Sequence, residues 1–214
     1  TVKVGWGVKG SGDGLIESGV PGAAKTRHLA EFKTHSKKSF SELVRKGVFE
    51  AKRQHWCQMQ VYMLGLQQKG IKVERALYIA VCKDDDEIFS ERIAYNAEAA
   101  NALVQRGLMI AKAEHIPQPL SADPSYYLCK MCPAWEFCHK SKLTSEVNCR
   151  TCCHSTPTST GHFRCDRVDS QPYTLSKDEQ LEGCRGHVLH TDLVPWRFLG
   201  AEDGGLCALY EING

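Results

Sequence analysis

The stretch His28-Leu-Ala-Glu-Phe-Lys-Thr34 sets the predicted fold of this chain. A Gly/Pro turn at residues 19–22 precedes it and a polar run follows it, which predicts a short strand. Side chains alternate between the two faces of a strand, so Glu31 and Lys33 share one face and Phe32 lies on the other. Such a carboxylate and ammonium form either a plain ion pair or part of a catalytic site.

Three further polar residues accompany this pair. Asp13 lies between two glycines upstream, and Gln58 and Tyr62 follow downstream at the i,i+4 spacing of a helix. Carboxylates on adjacent strands can hold Mg²⁺, and the ion lowers the pKa of a bound water. A neighbouring lysine can orient that water and stabilise the anion that develops on a phosphate. Asp13, Glu31 and Lys33 are therefore the groups that phosphodiester hydrolysis needs, in the order D-x17-E-x-K, and Gln58 and Tyr62 follow them as Q-x3-Y.

Together these residues resemble the PD-(D/E)XK nuclease superfamily, in particular its RecB-type and phage-exonuclease branch. The resemblance implies an α/β fold in which helices flank a mixed, restriction-endonuclease-like sheet. It implies a Mg²⁺- or Mn²⁺-dependent deoxyribonuclease, which we expect to be an exonuclease. It would act in phage or bacterial DNA recombination, repair or replication, with a recombination or replication protein as a possible partner. The implied catalytic residues are Asp13, Glu31, Lys33, Gln58 and Tyr62. The implied metal ligands are Asp13, Glu31 and the backbone carbonyl of Phe32.

Two other functions remain open from the sequence. One is a nucleic-acid-binding module that keeps the nuclease fold without turnover. The other is a structural interaction protein stabilised by metals, which leaves the basic stretch of the chain unexplained.

That basic stretch overlaps the predicted catalytic strand. Nine Lys or Arg residues stand against three Glu between residues 25 and 55, a local balance of +6 in a chain whose net charge is +2. A basic run is either a solvated face or the contact surface for a polyanion. We expect DNA contacts from Lys25, Arg27, Lys37 and Lys38. An acidic run at residues 84–87 is its opposite.

The order of predicted elements is β-β-β-α-β-β-α. The predicted strands are residues 2–8, 12–17, 27–34, 76–82 and 88–94. The predicted helices are residues 54–68 and 96–113. The apolar run at 76–82 is typical of a central strand covered on both faces. We place a boundary after residue 143, which gives a nuclease domain over 1–143 and a small zinc-binding domain over 144–214.

Cysteine usage indicates metal ligation. Nine of the eleven cysteines follow residue 128, several of them in C-x2-C patterns. No leader peptide or membrane-spanning run is recognised, so we expect a reducing, cytoplasmic setting in a bacterial or phage-infected cell and no membrane partner. The chain starts inside a strand-like alternation at Val2, which predicts a further segment before residue 1.

The first cysteine group is Cys129-x2-Cys132-x5-Cys138, followed by His139. It resembles the C-terminal cysteine triplet of RecB-type nucleases that hold a [4Fe–4S] cluster, whose fourth cysteine lies upstream of the catalytic motifs. Cys57 is a poor substitute for that fourth ligand. A zinc ion held by the triplet and His139, or a remnant without metal, are the alternatives.

The second group is Cys149-x2-Cys152-x12-Cys165-x18-Cys184, a spacing close to that of zinc ribbons and treble clefs. Four thiolates on Zn²⁺ would stabilise a domain too small to fold by burial alone. Spare candidate ligands are Cys153, His154, His187 and His190.

Overall fold

In the computed structural model, which describes residues 1–5, 8–167, 169 and 171–212, the stretch around Glu31 is strand β4, His28–His35. It pairs in antiparallel fashion with β3 (Gly14–Ile16) and in parallel with β5 (Arg75–Cys82). Strand β6 (Ile88–Ala94) pairs antiparallel with β5, so the sheet order is β3-β4-β5-β6. The mixed sheet predicted from the sequence is confirmed.

Helices and a small hairpin complete the first of two compact units, Thr1–Met109 and Ile110–Gly214. The further elements are β1 (Val2–Gly5), β2 (Val8–Gly10), α1 (Lys37–Ala51), α2 (Arg53–Gln68) and α3 (Ala97–Ala111). The single strand predicted over 2–8 is wrong, because β1 and β2 form an antiparallel hairpin that pairs Gly5 with Val8. Residues 6 and 7 of that prediction lie outside the described residues.

Helix α1 was not predicted from the sequence. Its basic and polar residues hide a short apolar stripe, Phe40, Leu43 and Val48, which is buried. Gly47 interrupts it with φ 74° and ψ 172°, a conformation essentially restricted to glycine. The amide of Val48 restarts the helix by donating a hydrogen bond of 2.8 Å to the carboxylate of Glu91 on β6.

The core lies between one face of the sheet and helices α1 and α2. Strand β5 alternates strictly, with Ala76, Tyr78, Ala80 and Cys82 buried and the residues between them half-buried. The predicted central position of this strand is confirmed, whereas complete cover is found on one face only and the other face is partly buried. A continuous apolar sequence does not separate a face packed on helices from a face that is only half covered.

The second unit is built from short elements. They are α4 (Tyr127–Lys130), α5 (Trp135–Lys140), β7 (Ser155–Pro157), β8 (Phe163–Cys165), β9 (Tyr173–Leu175), α6 (Lys177–Glu182), β10 (Arg197–Glu202) and β11 (Cys207–Glu211), with 3-10 turns at Thr191–Leu193 and Asp203–Gly205. Strands β7-β8-β9 form one antiparallel sheet, and β10-β11 form a hairpin. Among its described residues only Cys129, Leu175 and Gln180 are buried, so the unit has little core of its own. The domain boundary after residue 143 stays a prediction.

No helix among the described residues has the length and apolar character needed to cross a membrane.

Gly47→Ala should lower the free energy of unfolding by about 1–3 kcal/mol, because alanine rarely adopts this backbone conformation. An added Cβ would also lie 3.2 Å from Oε2 of Glu91. Gly70 is the matched control, since its φ is +77° and a Cβ there meets nothing within 4 Å. Urea unfolding should show the smaller loss, about 1 kcal/mol, for Gly70→Ala. Equal losses would contradict the extra cost expected from the backbone conformation of Gly47 and from its contact with Glu91.

Candidate active site

Strand β4 and the segment before β3 bring Asp13, Glu31 and Lys33 together. The Glu31 side chain is 1% exposed, and its Oε1 accepts a hydrogen bond from Nζ of Lys33. The same ammonium lies 3.4 Å from the carbonyl oxygen of Phe32. Oδ2 of Asp13 accepts a hydrogen bond of 2.7 Å from the backbone amide of Phe32. Three predicted catalytic residues and the predicted carbonyl ligand therefore meet at one place.

The short length of β3 explains this arrangement. The ladder begins at Gly14, which is paired with Ala30, so Phe32 lies beyond the reach of β3. In an antiparallel pair, the N–H and C=O of one residue face the same neighbouring strand. Asp13 binds the amide of Phe32 where a longer β3 would have paired with it. The Phe32 carbonyl at this edge is free of the ladder.

Glu31 is a carboxylate in an unusual environment. Burial raises its pKa, the neighbouring Lys33 ammonium opposes that rise, and the charge of Asp13 adds to it. Its second oxygen, Oε2, is buried and has no hydrogen-bond partner within the part of the chain that the structure describes. A buried carboxylate oxygen without a donor is costly unless a cation neutralises it. The donor set of two carboxylates and a carbonyl therefore fits a hard divalent cation such as Mg²⁺.

Gln58 and Tyr62 lie on α2, one turn apart, and are joined by a hydrogen bond of 3.0 Å from Nε2 of Gln58 to Oη of Tyr62. The tyrosine ring packs under the glycine segment that leads to Asp13. A Cβ at Gly10 would lie 2.1 Å from this ring, and one at Gly12 would lie 3.6 Å from it. The pair thus supports the backbone that positions Asp13, and no described hydrogen bond links it directly to Glu31 or Lys33.

The sequence analysis missed three residues beside this site. Oη of Tyr78, on β5, lies 2.9 Å from Nε2 of His35 and 2.9 Å from Nδ1 of His55. Tyr78 is the ladder partner of Glu31, and His35 follows two residues after Lys33. His55 precedes Gln58 by about one helical turn. Their positions at strand and helix spacing from the motif are the signal that could have identified them.

The basic residues predicted to contact DNA differ in their partners. Lys37, at the start of α1, forms ion pairs with Asp85 and Glu87, and its backbone amide donates a hydrogen bond of 2.5 Å to Asp84. Hydrogen bonds to these two carboxylates raise the pKa of Lys37. Hydrogen bonds from the Cys82 thiol and then from Lys37 lower the pKa of Asp85 to about 2. The acidic turn between β5 and β6 therefore neutralises one of the four predicted cations.

Arg27 is also paired, with Glu17 at 2.6 Å. Lys25 and Lys38 are exposed. Neither of these two lysines forms an ion pair with any residue that the structure describes.

The first cysteine group is not gathered into a site. Cys129 is buried, whereas Cys132 and Cys138 are exposed. The ring of His139 packs against Trp135 at 5.8 Å between centroids. No described contact joins the three thiols.

The second cysteine group is closer together. Burial raises the pKa of Cys149, and the thiols of Cys152, Cys184 and Cys165 raise it further, so these four groups are neighbours. Sγ of Cys149 lies 3.6 Å from the carbonyl of Glu179, at α6. Among the described residues no three His, Cys, Asp or Glu side chains form a metal-binding cluster. Proximity of the thiols is thus observed, but a coordination shell is not.

Comparison with known proteins identifies the family. The model of the PD-(D/E)XK nuclease superfamily matches residues 7–139, more than half of the chain. The chain belongs to the PD-(D/E)XK nuclease superfamily. Its mixed sheet and flanking helices fit that fold, and the superfamily acts on nucleic acid, mostly with a divalent metal such as Mg²⁺ or Mn²⁺.

The other comparisons add little. The crystal structure of SSO0001 is 18% identical over 62% of this chain and 51% of that one, with a TM-score of 0.38. The chain thus spans about half the length of SSO0001. No curated protein matches the chain.

The ion pairs predict unequal contributions of Lys37 and Lys38 to nucleic-acid binding. Each phosphate contact adds about 0.9 to the slope of log K against log salt for duplex DNA. Lys38→Gln should reduce that slope by about this amount, measured by fluorescence anisotropy with a DNA oligonucleotide. Lys37→Gln should leave the slope close to that of the wild type, because Asp85 and Glu87 already balance the Lys37 charge. An equal reduction in both variants would mean that the acidic turn releases Lys37 to the nucleic acid.

Proposed function

We propose that this chain is a metal-dependent deoxyribonuclease that hydrolyses DNA phosphodiester bonds. The observation that carries the proposal is the buried Glu31 carboxylate beside Asp13. One of its oxygens is bound to Lys33 and the other has no partner among the described residues. A carboxylate is seldom buried in this state without a cation to bind. Membership of a nuclease superfamily supplies the reaction class.

The residues would divide the work of hydrolysis as follows. Asp13, Glu31 and the carbonyl of Phe32 would hold Mg²⁺ or Mn²⁺, which supplies Lewis acidity and lowers the pKa of water. The Lys33 ammonium, fixed by Glu31, would orient the attacking water and neutralise negative charge as it grows on the phosphate. Asp13 is held in place by the Phe32 amide, so the site needs little rearrangement to react.

We further propose exonuclease action in phage or bacterial DNA recombination, repair or replication, in the cytoplasm. The Q-x3-Y pair on α2 supports assignment to the RecB-type branch, since Gln58 and Tyr62 are bonded to each other beneath the loop before Asp13.

We also propose that Cys149, Cys152, Cys165 and Cys184 bind a structural Zn²⁺. The support is the spacing of the four cysteines, the rise that the other three thiols cause in the pKa of Cys149, and the small core of the second unit. Thiolate donors suit Zn²⁺, and metal binding can replace a missing core. The triplet Cys129, Cys132 and Cys138 remains a candidate for a [4Fe–4S] cluster, or with His139 for a second zinc.

Catalysis is tested with paired substitutions. Glu31→Ala and Lys33→Ala should each lower Mg²⁺-dependent DNA cleavage at least about a hundredfold, because each removes a group that acts on water, metal or phosphate. Mn²⁺ should raise the melting temperature of the wild type but not of Glu31→Ala, because only the wild type binds the ion tightly.

The matched controls are Glu42→Ala and Lys46→Ala, which break a surface ion pair of 2.8 Å on α1. Both should cleave DNA at the wild-type rate. Unimpaired cleavage by Glu31→Ala or Lys33→Ala would remove the proposed site. Wild-type protein that binds DNA but does not cleave it would favour a silent binding module.

The zinc site is tested by elemental analysis. We expect about one zinc per chain for a four-thiolate site. Cys165→Ala should lose the metal and expose the second unit to proteolysis, whereas Cys207→Ala, an exposed thiol on β11, should keep it. Protease-resistant protein without zinc would contradict the proposal. Two zincs and no iron after anaerobic purification would move the Cys129 group to zinc.

A further inference from the structure

A partly buried chain of hydrogen bonds links four elements behind the candidate active site. It runs from Oγ of Ser39 on α1 to Nδ1 of His35 at 3.2 Å, then through Tyr78 on β5 to His55 on α2. The Tyr78 side chain is fully buried and His35 is 8% exposed. The His55 ring stacks on Tyr78, with centroids 5.8 Å apart and 27° between the planes. The proposed hydrolysis uses none of these groups directly.

The hydroxyl of Tyr78 constrains both imidazoles. It carries one hydrogen, so it donates to one ring and accepts from the other. Either direction along the chain satisfies every member, and each direction fixes the tautomers of both histidines together. Protonating both rings would leave the Tyr78 hydrogen without an acceptor. All of these hydrogen bonds can therefore form only while at least one of the two imidazoles is neutral.

Charges around the chain also favour neutral imidazoles. Burial lowers the pKa of His55 to about 4, and Lys33, His35 and Lys52 act in the same direction. Burial likewise lowers the pKa of His35, with help from Lys52, Lys33 and Lys83. On the opposite side, Glu31 and Glu91 face Tyr78 and, after burial, raise the pKa of its phenol.

These hydrogen bonds connect the strands around Glu31 and Lys33 with helix α2. His35 lies on β4 with Glu31, and Tyr78 on β5 is the ladder partner of Glu31. His55 lies on α2, the helix that carries Gln58 and Tyr62. Lys33 is the charged group that acts most strongly on His55. The neutral ring beside this ammonium adds no competing charge.

We propose that Ser39, His35, Tyr78 and His55 form a positioning unit that fixes Lys33 and helix α2 for hydrolysis. The inference rests on the proposed nuclease function for its kinetic consequence only. The unit acts through Lys33 and α2, and none of its members is assigned contact with the phosphate.

The decisive variant is Tyr78→Phe, which keeps the ring and removes the shared hydroxyl. We expect kcat for DNA cleavage to fall about tenfold to a hundredfold with KM changed less than about twofold, as when a catalytic group is slightly misplaced. His55→Asn, whose amide can replace Nδ1 as a partner of Tyr78, should retain far more activity than His55→Ala. Tyr95→Phe is the matched control, since Tyr95 is a half-buried tyrosine of the first compact unit whose side chain has no described hydrogen bond, and this variant should behave as wild type.

A second measurement does not depend on activity. Nuclear magnetic resonance of the lysine Cε and imidazole nitrogen atoms should show the Lys33 signal displaced in Tyr78→Phe and His55→Ala but not in Tyr95→Phe. In Tyr78→Phe the two histidines should no longer share linked tautomers.

The outcomes separate the two proposals. Wild-type protein that cleaves no DNA with Mg²⁺ or Mn²⁺ would defeat the nuclease function, while the Lys33 signal would still test the positioning unit. An unchanged Lys33 signal in Tyr78→Phe and His55→Ala would overturn the unit whether or not the protein cleaves DNA. A folded Tyr78→Phe variant with wild-type kcat would likewise show that these hydrogen bonds contribute only to stability.

Discussion

The buried carboxylate of Glu31 is the constraint on which the first unit depends. Moving a carboxylate out of water is unfavourable unless another charge or hydrogen-bond donors replace the water. Lys33 does this for one oxygen from two residues away on the same strand. The ladder partner of Glu31, Tyr78 on β5, belongs to the buried apolar core that helices α1 and α2 form with the sheet. The second oxygen of Glu31 is buried and has no hydrogen-bond partner among the described residues, which leaves it available to a cation beside Asp13.

Helix α2 is held against this site at two points. Tyr62 packs under the glycines before Asp13, and about two turns earlier His55 is bonded to Tyr78 on β5. One point fixes the loop that bears Asp13 and the other fixes the strands that bear Glu31. A rigid helix joining both would keep the two carboxylates in register with each other, which is what metal binding by residues from different strands requires.

Electrostatics around the site follow the three-dimensional pairing of charges more than their order in the chain. The basic stretch contains cations that are already balanced, by the acidic turn at Lys37 and by Glu17 at Arg27. Lys25 and Lys38, both exposed, are better placed to meet a phosphate backbone. In the second unit very few of the described residues are buried, so apolar burial can contribute little to its stability. The neighbouring thiols are the strongest candidates for holding its short strands together.

Local patterns in the sequence were sufficient for strands β4 and β6 and for helix α2, because alternation, periodicity and turn residues act over a few positions. They also selected Asp13, Glu31 and Lys33, which the fold brings together, while their catalytic role stays a prediction. Helix α1 escaped prediction, since Gly47 and many basic residues obscure an apolar stripe of three side chains. The partners of Lys37 and Tyr78 lie 23 to 50 residues away in the chain. Only the register of β4 with β5 and the packing of α2 on them bring such residues into contact, so the tertiary structure alone could reveal them.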